Sequence, residues 1–268
     1  MDGSDQTFGL MLRRWRDRRR MTQLDLALVA GSSTRHLSYL EAGKAQPSRE
    51  MIQRLAEVLD IPLRGRNALM LAAGFAPAFR ESALDSLPVA KSAMDRVLQA
   101  HKPYPAFVVD RYWHVVLSNA TLPQLYEGCA DVLMRPPVNA MRLMLHPDGM
   151  AARIQNYEAW RSHCLQLLRH QIDAGADVFV EQLYTEVANY PVPARAGAAD
   201  YSSQGVDRFA TPLRVATRHG IMSFLNTITV FGTANDVTLS ELALEMLFPA
   251  DDRTAKIARA MSEEELAL

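Results

Sequence analysis

A chain of 268 residues is long enough for about two domains, and 49% hydrophobic with 22% charged residues is the composition of an ordinary globular protein. No apolar run is long enough to span a bilayer, the N-terminus lacks a signal peptide's apolar core, and Cys129 and Cys164 form neither a disulfide framework nor a CxxC pair. These features exclude a disulfide-stapled or membrane-spanning chain and lead us to expect a cytoplasmic protein with no membrane partner.

The net charge of −1 hides a division. Residues 1–76 hold twelve Lys/Arg against eight Asp/Glu, a balance of +4, and the remainder holds 17 against 22, a balance of −5. A basic N-terminal part can lie along phosphates and an acidic remainder cannot, so any nucleic acid belongs to the first part.

Residues 1–6 are expected to be disordered. From Thr7 the pattern predicts a helix with Phe8, Leu12 and Trp15 on one face, running into the basic cluster Arg13, Arg14, Arg16, Arg18, Arg19 and Arg20. For Arg18 to Arg20 a solvated face and a DNA contact explain the charge equally well. Thr22 opens a short amphipathic helix in which Leu24, Ala27 and Leu28 recur at helical spacing. Gly31 follows, a residue that accepts a positive φ and lets two helices turn sharply. A second short helix starts at a Ser32/Ser33 cap with Leu37 and Leu40 inward, which leaves Thr34, Arg35, Ser38 and Tyr39 outward. In a helix-turn-helix, the start of the second helix carries the side chains that reach base edges in the major groove. An ordinary helical hairpin is the plainer reading of the same pattern.

Pro47-Ser48 starts a further helix with Ile52, Leu55, Ala56 and Leu59 as its core stripe. Ile61-Pro62 breaks it, and Leu63 to Ala73 forms a fifth helix ending at Gly74. Together these make an all-α five-helix domain over residues 1–76, followed by a linker at 77–89.

Gln23, Ala27, Gly31, Leu37 and the Leu40-Glu41-x-Gly43 ending resemble the phage-repressor (XRE-type) helix-turn-helix. The resemblance implies a homodimer on double-stranded DNA at a palindromic operator. It places base reading on Ser33, Thr34, Arg35, Ser38 and Tyr39, with Arg35 either bidentate on a guanine edge or on phosphate. Gln23 and Lys44 are implied to touch backbone phosphate. Arg16 is implied to pair with Glu41, which would orient its guanidinium toward phosphate.

Beyond the linker, Val89 to His101 reads as a helix stopped by Pro103 and Pro105. Residues 107–117, FVVDRYWHVVL, read as a β-hairpin turning at Asp110–Tyr112, with Trp113, Val115 and Leu117 on one face. Asn119 is expected to cap a short helix reaching Tyr126. Helical segments follow at Val138–Leu145, Ala151–Asn156, Tyr157–Ala174 and Val178–Asn189, and the Ala-, Pro- and Gly-rich Pro191 to Gly205 reads as an exposed loop. The period then changes to two. Leu213–Arg218 and Gly220–Gly232 predict adjacent strands, the second with Met222, Phe224, Asn226, Ile228 and Val230 on one side. From Thr238 the pattern fits either a helix or a last strand, and a polar helix follows from Asp252. Hairpin, helices and then strands is the order of an α+β PAS-like domain, an antiparallel sheet with covering helices, here over residues 90–268.

The segments PAFVVDRYWHVVLSNAT, RPPVNAMRLMLHPDGMAARIQNYEAW and TVFGTANDVTLSELALEMLFPAD resemble the ligand-binding domain of MmyB-like transcription regulators. In that family a PAS-like domain follows a phage-repressor-type domain and can enclose a fatty acid. The resemblance implies no resident cofactor but a bound fatty acid or similar apolar ligand.

Candidate lining residues are Trp113, Val115 and Leu117 on the hairpin, Met141 and Leu145 on a covering helix, and Phe224 and Ile228 on a central strand. Each taken singly is better explained as plain core, and the thirteen methionines suit either a pocket or an irregular core. A carboxylate head group would need a cation at the mouth. Arg142, beside Asn139, is the first candidate, with Arg153 and His146 behind it. An arginine there also fits a side chain that snorkels to solvent or pairs with a nearby acid.

No catalytic constellation stands out: adjacent His163 and Cys164 on a helix face different directions, and no HxxxH, CxxC, Gly-rich phosphate loop or GxSxG occurs. The expectation is a non-enzymatic, DNA-binding regulator whose C-terminal domain senses a small apolar effector. The alternative is that this domain is an effector-independent dimerisation or partner-binding module.

Overall fold

Side-chain caps set where the first helices begin. Thr7, Thr22, Ser33 and Ser48 each stand in extended backbone and accept a hydrogen bond from the backbone N–H three residues on. Each satisfies a donor that has no carbonyl partner in a first helical turn. The first helices are α1 (Phe8–Arg18), α2 (Gln23–Val29), α3 (Thr34–Glu41) and α4 (Arg49–Val58), and α5 (Leu63–Ala72) begins after Pro62. Gly31, at φ 61°, makes the sharp turn from α2 into α3.

The computed structural model describes residues 7–175, 177–194 and 210–266. The disorder expected for residues 1–6, and residues 195–205 of the expected loop, lie outside the described residues. The chain divides into two compact units, one holding the residues through Ser82 and the other most of the chain from Ala83 onward.

The first unit closes over Leu12, Leu26, Leu37, Leu40, Ile52 and Leu55, all essentially fully buried. On α2 the inward residues are Leu26 and Ala27, whereas Leu24 and Leu28 are 65% and 79% exposed. Leu26 and Ala27 reach helical spacing only with the buried Ala30 at the helix end, and the rotation of a seven-residue helix is decided by its neighbours rather than by its own pattern. The arginine cluster is partly structural. Arg19 Nε and Nη2 donate to the carbonyls of Leu59 and Asp60, each at 2.7 Å, and so tie the end of α1 to the end of α4. Part of the expected linker is also tied to this unit. Asn67 accepts from the N–H of Ala78 and Phe79, and donates to the carbonyl of Phe79.

In the second unit α6 (Pro88–Ala100) precedes the hairpin of β1 (Ala106–Val109) and β2 (Val115–Ser118). Four helices come next: α7 (Leu122–Leu125), α8 (Asp131–Met134), α9 (Ala140–Leu145) and α10 (Tyr157–Gly175). After α11 (Val178–Ala188) come β3 (Leu213–Thr217), β4 (Gly220–Val230), α12 (Val237–Ser240), β5 (Ala243–Pro249) and α13 (Asp252–Leu266). The segment after Thr238 is thus both a helical turn and a last strand. The five strands pair antiparallel in the order β2-β1-β5-β4-β3, which puts the last strand at the centre beside the first. This is the α+β, PAS-like arrangement, with an antiparallel sheet and covering helices.

Apolar residues pack on both faces of the sheet. Phe107 and Val109 of β1 face α9, α10 and α11, while Ala106 and Val108 face Met94 and Leu98 of α6. The hairpin does not keep Trp113, Val115 and Leu117 on one side. Val109 pairs with Val115, but Val108 pairs with Leu117, so one extra residue bulges from β2 between these pairs. A bulge of one residue reverses the alternation. Val115 therefore packs with the helix-covered core, and Leu117 with the α6 face. Asn119 is not a cap. Its buried side chain accepts from the N–H of Ala106 and donates to the carbonyls of Leu98 and Tyr104, joining α6, the loop after it and β1.

Candidate functional site

At the end of α3, Glu41 is the fixed point of the first unit. Arg16 Nε donates to its Oε1 at 2.6 Å and Nη2 to its Oε2 at 3.0 Å, while Gln23 Nε2 donates to Oε2 at 2.8 Å. Arg16 Nη1 donates to the carbonyl of Met21 at 2.8 Å and lies 2.7 Å from the Asp17 carboxylate. A bidentate arginine–carboxylate pair fixes orientation as well as distance. Here it locks α3 against α1 and the start of α2. Gly9 permits this approach, since a Cβ there would stand 2.4 Å from the Glu41 carbonyl oxygen. Arg16 is almost fully buried, and its hydrogen bonds to Glu41 raise the affinity of its guanidinium for its proton, against the opposing effect of burial. Its donors point inward to the network rather than out to phosphate, and so does the Gln23 amide.

The outer side of α3 carries Thr34, Arg35 and Tyr39, all exposed, with Ser38 half-buried beside them. Arg35 donates from Nε and Nη2 to the Tyr39 hydroxyl at 3.3 and 3.2 Å, and its guanidinium carbon lies 5.5 Å from the centre of that ring. Ser33 Oγ accepts the His36 N–H, so its hydroxyl caps the helix while keeping its own proton to donate. Lys44 is exposed just beyond the helix, and its backbone N–H closes onto the Tyr39 carbonyl.

The second unit encloses a cavity between the sheet and its covering helices. About 470 Å³ of space lies between its walls, part of it open to solvent, and only a water-sized portion is wide enough to admit an atom as the side chains stand. Among the described residues the walls are Phe107, Trp113, Leu122, Leu125, Tyr126, Met141, Met144, Met150, Trp160, Cys164, Leu167, Leu213 and Leu247, with Asn226 as the one carboxamide and Glu245 as the one carboxylate.

Of the expected lining residues, Trp113 and Met141 face this space and seven do not. Val115 is partly buried against the same core without reaching the cavity, and Leu117 is on the opposite face of the sheet. Leu145 and Phe224 are fully buried core. Ile228 lies near the far end of β4, past the cover of the helices, and is 42% exposed. Asn139 is a structural knot: its Oδ1 caps α9 at the Arg142 N–H, and its Nδ2 donates to the Tyr112 carbonyl. Arg142 is a partner to an acid. Its Nε and Nη2 meet both oxygens of Glu186 on α11, at 2.8 and 2.7 Å, which leaves no clamp for a carboxylate ligand. Of its two alternates, Arg153 donates to the Leu125 carbonyl, and His146 Nδ1 accepts the Asp148 N–H.

Reading the sequence alone missed Glu245. It is 2% exposed at the middle of β5, and Asn226 Nδ2 donates to its Oε2 at 2.6 Å. Burial pushes its carboxyl up to about 7, opposed only by that amide. Among the described residues Glu245 Oε1, Asn226 Oδ1 and Trp160 Nε1 are buried without a hydrogen-bond partner. A lone acid at an inward position of an apolar strand, ALEMLFP, was the available signal, but it could be read only once that segment was known to be a strand.

The family profile described as "MmyB-like transcription regulator ligand binding domain" matches residues 90–261, and the one described as "Helix-turn-helix" matches residues 12–65. No curated protein matches. Among solved structures, one titled "Structure of an RNA-binding Light-Oxygen-Voltage Receptor" is 12% identical with a TM-score of 0.28. All of this chain is covered in that match, and it spans 63% of the length of the other. No helix among the described residues is long and apolar enough to cross a membrane. With the ligand-binding profile matching more than half of its length and a helix-turn-helix before it, the chain belongs to the MmyB-like transcription regulators, DNA-binding proteins that carry a ligand-binding domain.

Proposed function

We propose that the protein reads a palindromic operator as a homodimer in the cytoplasm, and that a small apolar molecule of the fatty-acyl kind, held in the second unit, alters that binding. The observation that carries the DNA part is the Arg16–Glu41–Gln23 network, which holds α3 rigidly while its outer side stays open. Thr34, Arg35, Ser38 and Tyr39, with Ser33 at the cap, are the base-reading set, and Lys44 meets phosphate. Arg16 and Gln23 act through Glu41 as positioning residues. The effector part is supported by a cavity whose walls are apolar apart from a few polar atoms. Its three methionines can move aside for an acyl chain.

The effector would act by population shift: it binds one arrangement of a dimer better than another, and so changes the fit to two half-sites at once. One observation favours the rival reading, a filled domain serving only for dimerisation, because little of the cavity is wide enough for an atom. Native mass spectrometry of gently purified protein separates the two. A protomer carrying a few hundred daltons that are lost on denaturation supports the sensor, and clean apo mass together with no uptake of added acyl compounds supports the module.

A further inference from the structure

The polar end of the cavity has a definite hydrogen-bonding inventory. Glu245 Oε1 and Asn226 Oδ1 are acceptors, Trp160 Nε1 is a donor, and all three are buried without a partner among the described residues. Glu245 and Asn226 are also bonded to each other, so two adjacent strands present their remaining oxygens together. Buried polar atoms in folded proteins almost always find a partner, and a ligand that supplies one is selected over a ligand that cannot.

We propose that this polar end recognises an uncharged head group bearing N–H or O–H, best an amide, on the apolar effector, and that it discriminates against a free carboxylate. The inference rests on reading the cavity as the effector site. A primary amide brings two N–H donors and one carbonyl acceptor, which matches two acceptors and one donor group for group. An alcohol brings one donor and can accept as well, so it satisfies part of the set. A carboxylate brings acceptors alone and sets a second negative charge beside Glu245 in a medium of low dielectric, where like charges are strongly disfavoured. Among the described residues no Lys, Arg or His lines the cavity to neutralise it, and Arg142, off the wall, is bonded to both oxygens of Glu186. The apolar walls then accept the chain and the polar end decides the head.

The test uses the full-length protein and three ten-carbon probes, decanamide, decan-1-ol and decanoate, titrated by calorimetry at pH 8. Decanamide is expected to bind at least about tenfold more tightly than decanoate, with decan-1-ol between them. Glu245→Gln removes the charge and adds a donor, and is expected to narrow that gap by strengthening decanoate. Trp160→Phe removes the indole N–H and is expected to weaken decanamide, which keeps the test open should Glu245→Gln fail to fold. Decanoate binding as tightly as decanamide to the native protein, or a gap unchanged by both substitutions, overturns the head-group assignment while leaving the effector site standing. Binding of none of the three overturns both.

Discussion

Glu41, the last residue of α3, has both carboxylate oxygens on Arg16 of α1 although 25 residues separate them in the chain. Both side chains are nearly out of solvent, 10% and 5% exposed. Glu41→Ala leaves the buried Arg16 guanidinium without its bidentate partner, with only the exposed Asp17 carboxylate beside it, at a cost of about 3 kcal/mol. Chemical denaturation followed by helical circular dichroism reads that loss. Operator affinity should fall with it, since α3 loses its anchor. Replacing both residues by apolar ones should cost less stability than Glu41→Ala alone.

Gly9 stands where α1 meets the end of α3. A Cβ there would be 2.4 Å from the Glu41 carbonyl and 2.6 Å from that of Leu40. Those atoms are backbone and cannot swing away, so Gly9→Ala should cost roughly 1–3 kcal/mol through displaced helices. A thermal melt measures it, and an unchanged melting temperature would show that α1 and α3 sit further apart than this.

Arg35 and Lys44 should fail in different ways. Arg35→Ala should cost about 1–3 kcal/mol of operator binding and relax the preference at one base position, because a base contact carries sequence information. Lys44→Ala should weaken all DNA sequences alike and reduce the slope of log affinity against log salt by about 1. Binding titrations at several salt concentrations, on operator and on unrelated duplex, distinguish the two.

Glu245 links stability to pH. Its carboxyl titrates near 7 when folded and near the ordinary 4.5 when unfolded. Below 4.5 both states hold the proton and nothing is lost. Between 4.5 and 7 only the unfolded chain ionises, so stability declines as pH rises through that window and then stays level. The total is about 3 kcal/mol. Cys164 does not ionise in this range, because burial and the neighbouring Glu245 hold its thiol well above its usual value. Glu245→Gln should abolish the decline, so the variant should gain on the native protein from pH 5 to pH 8 in urea titrations. Parallel curves for the two proteins would mean that Glu245 is solvated.

What the sequence revealed depended on how local the cause was. The caps at Thr7, Ser33 and Ser48, the turn at Gly31 and the change of period near Leu213 are written within a few residues, and the elements follow them. The family motifs also led to the Arg16–Glu41 pair. The phase of α2 was not legible, because Leu24/Leu28 and Leu26/Ala30 are equally spaced and the neighbouring helices choose between them. The side of the sheet taken by Leu117 turned on a bulge that alternation does not announce. Arg142 was placed correctly as a cation near buried residues, but its partner, Glu186, lies 44 positions away. Glu245 was missed because β5 could not be told from a helix. Its significance comes from Asn226 on the next strand and from Trp160 on α10.

Met141, Met144 and Met150 all stand on the cavity wall, away from any strand that would hold them rigid. Unbranched thioethers change shape with little resistance. Such a wall accommodates guests of several lengths and branchings nearly equally well. The two strands beneath it, cross-linked through Asn226 and Glu245, do not yield in that way. Discrimination among related compounds should therefore be loose along the tail and strict at one end, and homologous series should differ less than isosteric pairs.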